Sequence, residues 1–285
     1  MGKKMAIVAF WSNEEKETGQ SLSMVALTTY MAIEHNYRIL EINTGFQDTT
    51  IEDSYWDLEK TENLVKNLTN RNKEEVVFES GIEGLVKIIT SGKTSTAIIS
   101  NYTKIVFKDR LDVLLAPKTK SYEEYKDMAQ YYTDILQVAN RNYDLVFIDI
   151  SKKMPQEQVD KILEMADVIV INITQKLKVI NQYMELREKN TFFKKNNILI
   201  NIGRYDKFSK YNVKNVSRYM REKKSVLAVP YNTLFFESCS EGKAADFFVR
   251  LRTADAEDRN AVFMQEVDRF AKALVYKLQE LQMKL

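Results

Sequence analysis

Three segments near the start of the chain, Met5-Ala6-Ile7-Val8-Ala9-Phe10, Gly19-Gln20-Ser21 and Arg38-Ile39-Leu40-Glu41-Ile42-Asn43, decide how the rest is read. The first is an apolar run bounded by Ser12 and Asn13, as expected of a buried strand ending in a turn. Behind Gly19-Gln20-Ser21, the residues Met24, Val25, Leu27, Thr28, Met31 and Ala32 recur at helical spacing. The third segment is again strand-like, so the order is strand, glycine-containing loop, helix, strand. That order opens a nucleotide-binding α/β sheet.

Further apolar runs follow at 112–116, 144–150, 167–173, 197–202 and 225–229, with helical patterns at about 121–141, 156–165, 177–193 and 211–223. Between the second strand and residue 112 the pattern is less regular. It predicts a charged helix over Leu58 to Leu68, a short strand at Val76-Val77-Phe78, a brief helix over Ile82 to Ile89, and short strands at Thr96 to Ser100 and Lys104 to Phe107. Alternating elements with near-continuous apolar strands predict an α/β fold, a mostly parallel, doubly wound sheet covered by helices on both faces. A final helix, from about 261 to 285, puts Phe263, Val267, Phe270, Leu274, Leu278 and Leu281 on one side, and its packing against the sheet or a partner subunit is expected.

The motifs in this frame resemble the ParA/MinD family of deviant P-loop ATPases, whose members read strand, KGGxGKT, helix, then a strand ending in LLIDxDPQ. Gly19, Gln20 and Ser21 fall where the Gly, Lys and Thr of that loop would sit, and Ile39 to Gln47 fall on the second strand and its tail. Leu114-Leu115-Ala116-Pro117 resembles the family's "vLaaP" segment. Asn142 to Asp149 resembles the Walker B strand, and Ala166 to Asn172 the strand after it. Val226 to Tyr231, with Glu237 and Gly242-Lys243, resembles the closing segment. The landmarks run in family order over roughly residues 4 to 245.

The resemblance implies an ATP or ADP site with Mg²⁺, and a nucleotide set of Lys16, Gly19, Gln20, Ser21, Asn43 and Asp149. Ser21 and Asp149 would face the metal, and Lys16 lies near the family's signature lysine. Three positions depart from the pattern: Gln20 replaces the loop lysine, Asn43 the aspartate that orients attacking water, and Gly45 the second aspartate of the tail, while Gln47 matches. Losing a charge-assisted hydrogen bond costs roughly 1.5 to 3 kcal/mol, on the order of ten- to a hundred-fold in affinity. Glu14, Glu15 and Glu17 add carboxylates beside the triphosphate position, where small glycine-rich backbone is the rule. Nucleotide binding is therefore expected to be weak or absent, and efficient ATPase activity is not expected.

The remaining candidates have bland readings beside the sharp ones. Gly92-Lys93-Thr94-Ser95 has the look of a Walker A ending, but Lys87 stands where its first glycine belongs, so it reads as a helix terminus. Lys210, Lys214, Arg218 and Arg221, with Tyr211 and Tyr219 interleaved, offer a surface for DNA phosphates or an ordinary solvated helix face. His35 and Cys239 are single residues of their kinds without a catalytic partner in sight.

Composition narrows the classes further. With 42 basic and 40 acidic residues the net charge is +2, so any DNA or lipid partner needs a local patch. One cysteine excludes an intrachain disulfide, one His and one Cys exclude a His/Cys metal cluster, and no run approaches the ~20 apolar residues of a membrane span. A cytoplasmic chain forming one domain over 1–285 is expected, with membrane association disfavoured. Three functions stay open: a noncatalytic or weakly nucleotide-responsive homodimeric scaffold that localises a bacterial pilus, secretion or mobile-element assembly, an active partitioning ATPase, and an ATP-independent DNA-binding accessory. Within the family the "LLAP" and "VPYN…GKA" phrases are most similar to the TadZ/CpaE branch.

Overall fold

The computed structural model describes residues 5–14, 17–57, 81–92, 96–194, 197–222, 226–255 and 257–283. Its centre is one eight-stranded sheet of order β3-β4-β2-β5-β1-β6-β7-β8. The strands are β1 (Ala6–Trp11), β2 (Ile39–Asn43), β3 (Lys104–Phe107), β4 (Leu111–Leu114), β5 (Leu145–Asp149), β6 (Val168–Ile173), β7 (Ile198–Tyr205) and β8 (Val226–Pro230). All neighbours are parallel except β3, which returns antiparallel beside β4.

The strands are apolar throughout because both faces are covered. Along β1, Ala6, Val8 and Phe10 pack into one core and Ile7 and Ala9 into the other, the two-residue alternation of a strand buried on both sides. The first face carries α1 (Gln20–Glu34), α2 (Thr50–Tyr55), α9 (Thr233–Ser240), α10 (Ala244–Leu251) and α11 (Ala261–Gln282). The second carries α3 (Ile82–Thr90), α4 (Tyr122–Ala129), α5 (Tyr132–Ala139), α6 (Gln156–Met165), α7 (Leu177–Lys189) and α8 (Val213–Met220). Helix α1 lies between the sheet and both α10 and α11, so residues on nearly all its sides are buried. Helix α11 lays Phe263, Val267, Phe270, Leu274 and Leu278 against β8 and α1, with Phe270 and Phe10 ring centroids 6.3 Å apart. Among the described residues no helix is long and apolar enough to cross a membrane.

Several boundaries differ from the sequence expectation. Residues Thr96–Asn101 form a 3₁₀ turn, not a strand, closed by Tyr102 N–H on Ile99 O (3.0 Å) and the Thr103 hydroxyl on Ser100 O (3.2 Å). Side-chain hydroxyls that satisfy nearby carbonyls compete with a sheet ladder. The helix expected over 121–141 is two, Tyr122–Ala129 and Tyr132–Ala139, separated by a tight turn that Tyr131 N–H closes on Met128 O at 3.1 Å. Helix α8 is shorter than 211–223: Asn212 caps its start (3.0 Å to Asn215 N–H), and Arg221, at φ 57°, ends it. Helices α2, α9 and α10 were not evident in the sequence, each being eight residues or fewer. The predicted helix over Leu58 to Leu68 and strand at Val76 to Phe78 lie outside the described residues.

Candidate functional site

Strand β5 lies between β1 and β2, so Asp149 pairs with Phe10 on one side and Asn43 on the other. The chain leaves β1 toward β2 and later returns to place β6 on β1's other flank. The crevice at the carboxyl ends of such strands is the topological switch point of an open α/β sheet. The loop before α1, the end of β2 and Asp149 meet there around a cleft of about 390 Å³.

On both sides of residues 15 and 16 the loop turns sharply even though it is poor in glycine. Ser12 Oγ accepts from Glu14 N–H at 3.0 Å, and Glu17 and Gly19 both take left-handed backbone, φ 68° and 64°. The loop rests on the end of β7 at Gly203, where an added Cβ would come 1.9 Å from Thr18 O. An exposed ion pair with Lys176 holds the Glu17 carboxyl below its usual range. Lys16 lies outside the described residues.

Gln20 heads α1 and points its amide back into the sheet. Its Nε2 lies 2.6 Å from Asp149 Oδ1, 3.0 Å from Ile150 O and 3.2 Å from Phe10 O, while its Oε1 is buried without a hydrogen-bond partner. Three acceptors surround a nitrogen that carries two protons; an ammonium would bring three. Ser21 Oγ donates to the other carboxylate oxygen, Asp149 Oδ2, at 2.6 Å. Burial pushes the Asp149 carboxyl up to about 6, and the bonds from Ser21 and Gln20 offset part of that cost.

Asn43 ends β2 with its polar atoms committed. Its Nδ2 donates to Glu52 Oε2 (2.6 Å) and Asp48 O (3.0 Å), and its Oδ1 accepts from Gly45 N–H (2.8 Å). Glu52, on α2, also accepts from Ala116 N–H, and burial raises its carboxyl above the usual range. Thr44 ties the ends of β2 and β5 together by donating to Asp149 O at 2.7 Å and accepting from Ser151 N–H at 2.8 Å.

Two residues back, Glu41 is completely buried on the same face of β2, bonded by Thr28 Oγ1 of α1 and by Tyr55 OH of α2 at 2.9 Å. Burial pushes its carboxyl up to about 7. Burial also pushes the Cys239 thiol up to about 12, far from a reactive thiolate.

The structure therefore brings Gly19, Gln20, Ser21, Asn43 and Asp149 to one crevice. Ser21 and Asp149 have the donor chemistry and proximity to flank a Mg²⁺ ion. The phosphate side fits less well. Gln20 supplies no charge, and Glu14, Glu17 and Asp48 line the cleft against Lys152, Lys153 and Arg204. Among the described residues no group of three or more His, Cys, Asp or Glu side chains is placed to hold a metal. Sequence reading missed Glu52, Thr44 and Arg204. None belongs to a motif, and β7 runs past 202, which carries Arg204 to the cleft.

Lys210, Lys214, Arg218 and Arg221 lie apart from the crevice, exposed on α8 and the segments at its two ends. Gly92, at φ 70°, follows the end of α3, while 93–95 lie outside the described residues. A larger cleft, about 830 Å³, lies beyond Lys152 between α6 and α7, where Trp11 stacks on Phe193 at 5.2 Å.

No protein-family model and no curated relative matches the chain. Solved structures do. A ParA family ATPase of Chlorobium tepidum TLS superposes with a TM-score of 0.66 at 16% identity, over 94% of this chain and 98% of that one. The septum site-determining protein MinD of Pyrococcus horikoshii OT3, solved with Mg-ADP, gives 0.62 at 12% identity, over 96% and 98%. A plasmid partition protein of Borrelia burgdorferi gives 0.52 at 18% identity, over 87% and 99%. Sheet order, crevice and these superpositions agree: the chain has the fold of the ParA and MinD ATPases.

Proposed function

We propose that the chain is a noncatalytic or weakly nucleotide-responsive scaffold of ParA/MinD type, which pairs as a homodimer and localises a bacterial assembly such as pilus, secretion or mobile-element machinery. The observation that carries this reading is the state of the two amides. Gln20 fills the place of the loop cation with a neutral group already bonded to Asp149, and Asn43 spends both polar atoms on Asp48, Glu52 and Gly45. Neither is left to neutralise a γ-phosphate or to orient a water, and both tasks are needed for hydrolysis in this fold class.

Ser21 and Asp149 keep the means to hold Mg²⁺ against a nucleotide, so weak binding without efficient turnover is compatible with the scaffold. The solved relative bound to Mg-ADP supports looking for such binding. Calorimetric titration with Mg·ATP, paired with a phosphate-release assay, is the test. Weak or undetectable binding with no turnover is expected. Micromolar binding with steady turnover that vanishes in Asp149→Ala would overturn the reading in favour of an active partitioning ATPase.

A further inference from the structure

Strand β7 does not end smoothly. Its pairing with β8 shifts register between Ile202 and Tyr205, and within that irregularity Arg204 takes left-handed backbone, φ 52°, which a residue with a side chain rarely adopts. Arg204 lies there against the loop that precedes α1. A Cβ added to Gly19 would meet Arg204 Cγ at 2.9 Å and Cδ at 3.7 Å, so the stem of the side chain runs along the loop instead of trailing into solvent. One residue earlier, Gly203 brings β7 so close to Thr18 O that no side chain would fit between them. A merely solvated arginine needs neither the strained backbone nor the contact with Gly19.

The guanidinium itself is uncommitted. Arg204 is exposed, and among the described residues its side chain makes no hydrogen bond or ion pair; its charge reaches Glu17 only from further off. The carboxylates around it are engaged elsewhere. Glu17 pairs with Lys176, Asp48 Oδ1 accepts from Thr50 N–H (3.0 Å) and Thr50 Oγ1 (2.6 Å), and Asp149 accepts from Gln20 and Ser21. Lys153, a second cation lining the cleft, also has no side-chain partner among the described residues. In the sheet order β5-β1-β6-β7 these two cations flank the loop that follows β1, Lys153 after β5 and Arg204 at the end of β7. Two free cations on either side of one loop suit an anion large enough to span them, and a guanidinium fork matches phosphate oxygens in pairs.

We propose that Arg204 is the phosphate-binding cation of the cleft, supplying from β7 the charge that Gln20 lacks, and that with Lys153 it holds the diphosphate group of a nucleotide laid across the loop. The assignment rests on the weakly nucleotide-responsive reading above and gives it a structural basis. Gln20 points into the sheet and stays bonded to Asp149, whereas Arg204 approaches from the flank, so the anion binds without breaking the Gln20–Asp149 bond. Nucleotide is then held while the contacts beneath it stay as they are.

The test is a titration of the full chain with ADP in the presence of Mg²⁺, followed by ³¹P NMR to millimolar concentrations. Saturable ADP binding is expected, and inorganic pyrophosphate should displace it. Arg204→Asn removes the charge but suits left-handed backbone, so it is expected to weaken ADP at least about tenfold with a thermal transition no lower than that of the wild type. Arg204→Lys, which keeps the charge and loses the fork, should fall between the two. Lys108→Asn, in the exposed turn between β3 and β4 at the far edge of the sheet, should leave ADP binding unchanged. No saturable ADP binding, binding that pyrophosphate does not displace, equal binding by wild type and Arg204→Asn, or an equal loss in Lys108→Asn would each overturn the proposal. Absence of ADP binding would leave the noncatalytic scaffold in place, whereas steady phosphate release from ATP would overturn the scaffold and leave the Arg204 comparison standing.

Discussion

The seam between β2 and α2 and the nest around Gln20 sit side by side in one crevice, and each is neutral in a different way. At the seam the surroundings have been built around the amide. Glu41 and Asn43 share one face of β2, and Tyr55 and Glu52, three apart on α2, meet them in turn, so a buried acid touches a neutral partner at each step. In the nest the surroundings suit a cation: Asp149 and two carbonyls converge on one nitrogen, which is that of a neutral amide. Placing an acid at Asn43 therefore takes two coordinated changes, whereas placing a cation at Gln20 takes one.

The largest expected effect follows from the seam. Asn43→Asp would set a second carboxylate 2.6 Å from Glu52 in a buried site, where one of the pair must take up a proton or repel the other. An uncompensated buried charge of this kind costs on the order of 4 kcal/mol of stability at pH 8. Glu52→Gln added to it should recover most of that loss, because an amide then faces an acid again. Urea denaturation of the wild type, both single variants and the double variant measures the coupling. Additive effects would mean that the seam is not built around its amide.

Glu41 gives the next largest effect, and its sign is fixed by burial. Its folded carboxyl is raised to about 7 from an ordinary 4.5, so the folded state binds more protons than the unfolded state between those values. Stability from this group is fully present below about pH 4.5 and is lost as pH rises through 7. The difference is about 3 kcal/mol. Glu41→Gln should remove this slope whatever it does to the absolute stability, since an amide does not titrate there. The comparison is the change in unfolding free energy between pH 4 and pH 8 in the two proteins. Equal changes would show that Glu41 does not titrate across this range.

The difference between seam and nest also marks what could be read from the chain. Gln20, Ser21 and Asp149 were legible through their resemblance to the ParA/MinD motifs, and they meet because strand ends at a switch point converge for topological reasons. Sheet class and strand order along the chain were legible because the strands are continuous apolar runs. Glu52 was not legible. It lies in a six-residue helix too short to show a period, and its role depends on the path between Asn43 and α2, which no local pattern encodes. The turn at Glu17 was missed because that residue adopts a conformation that glycine would have announced. Helix α8 is shorter than expected because Arg221 adopts left-handed backbone, which its residue type does not announce.

Gln20→Lys carries the smallest of these effects. An ammonium at the same place can donate to Phe10 O, Ile150 O and Asp149 together, and its charge would draw the Asp149 carboxyl down from about 6. A hydrogen bond gaining charge in this way is worth roughly 1.5 to 3 kcal/mol, less what the longer side chain loses in ordering. A modest gain, ~1 to 2 kcal/mol, is therefore expected near pH 7, falling as Asp149 protonates at lower pH. The same substitution should raise Mg·ATP affinity on the order of ten-fold while leaving turnover undetectable, because Asn43 and Glu52 are unchanged. Turnover restored by Gln20→Lys alone would show that the seam had never been the barrier to hydrolysis. Destabilisation would show that the three acceptors are fitted to the amide, and that the nest, like the seam, is built around its neutral residue.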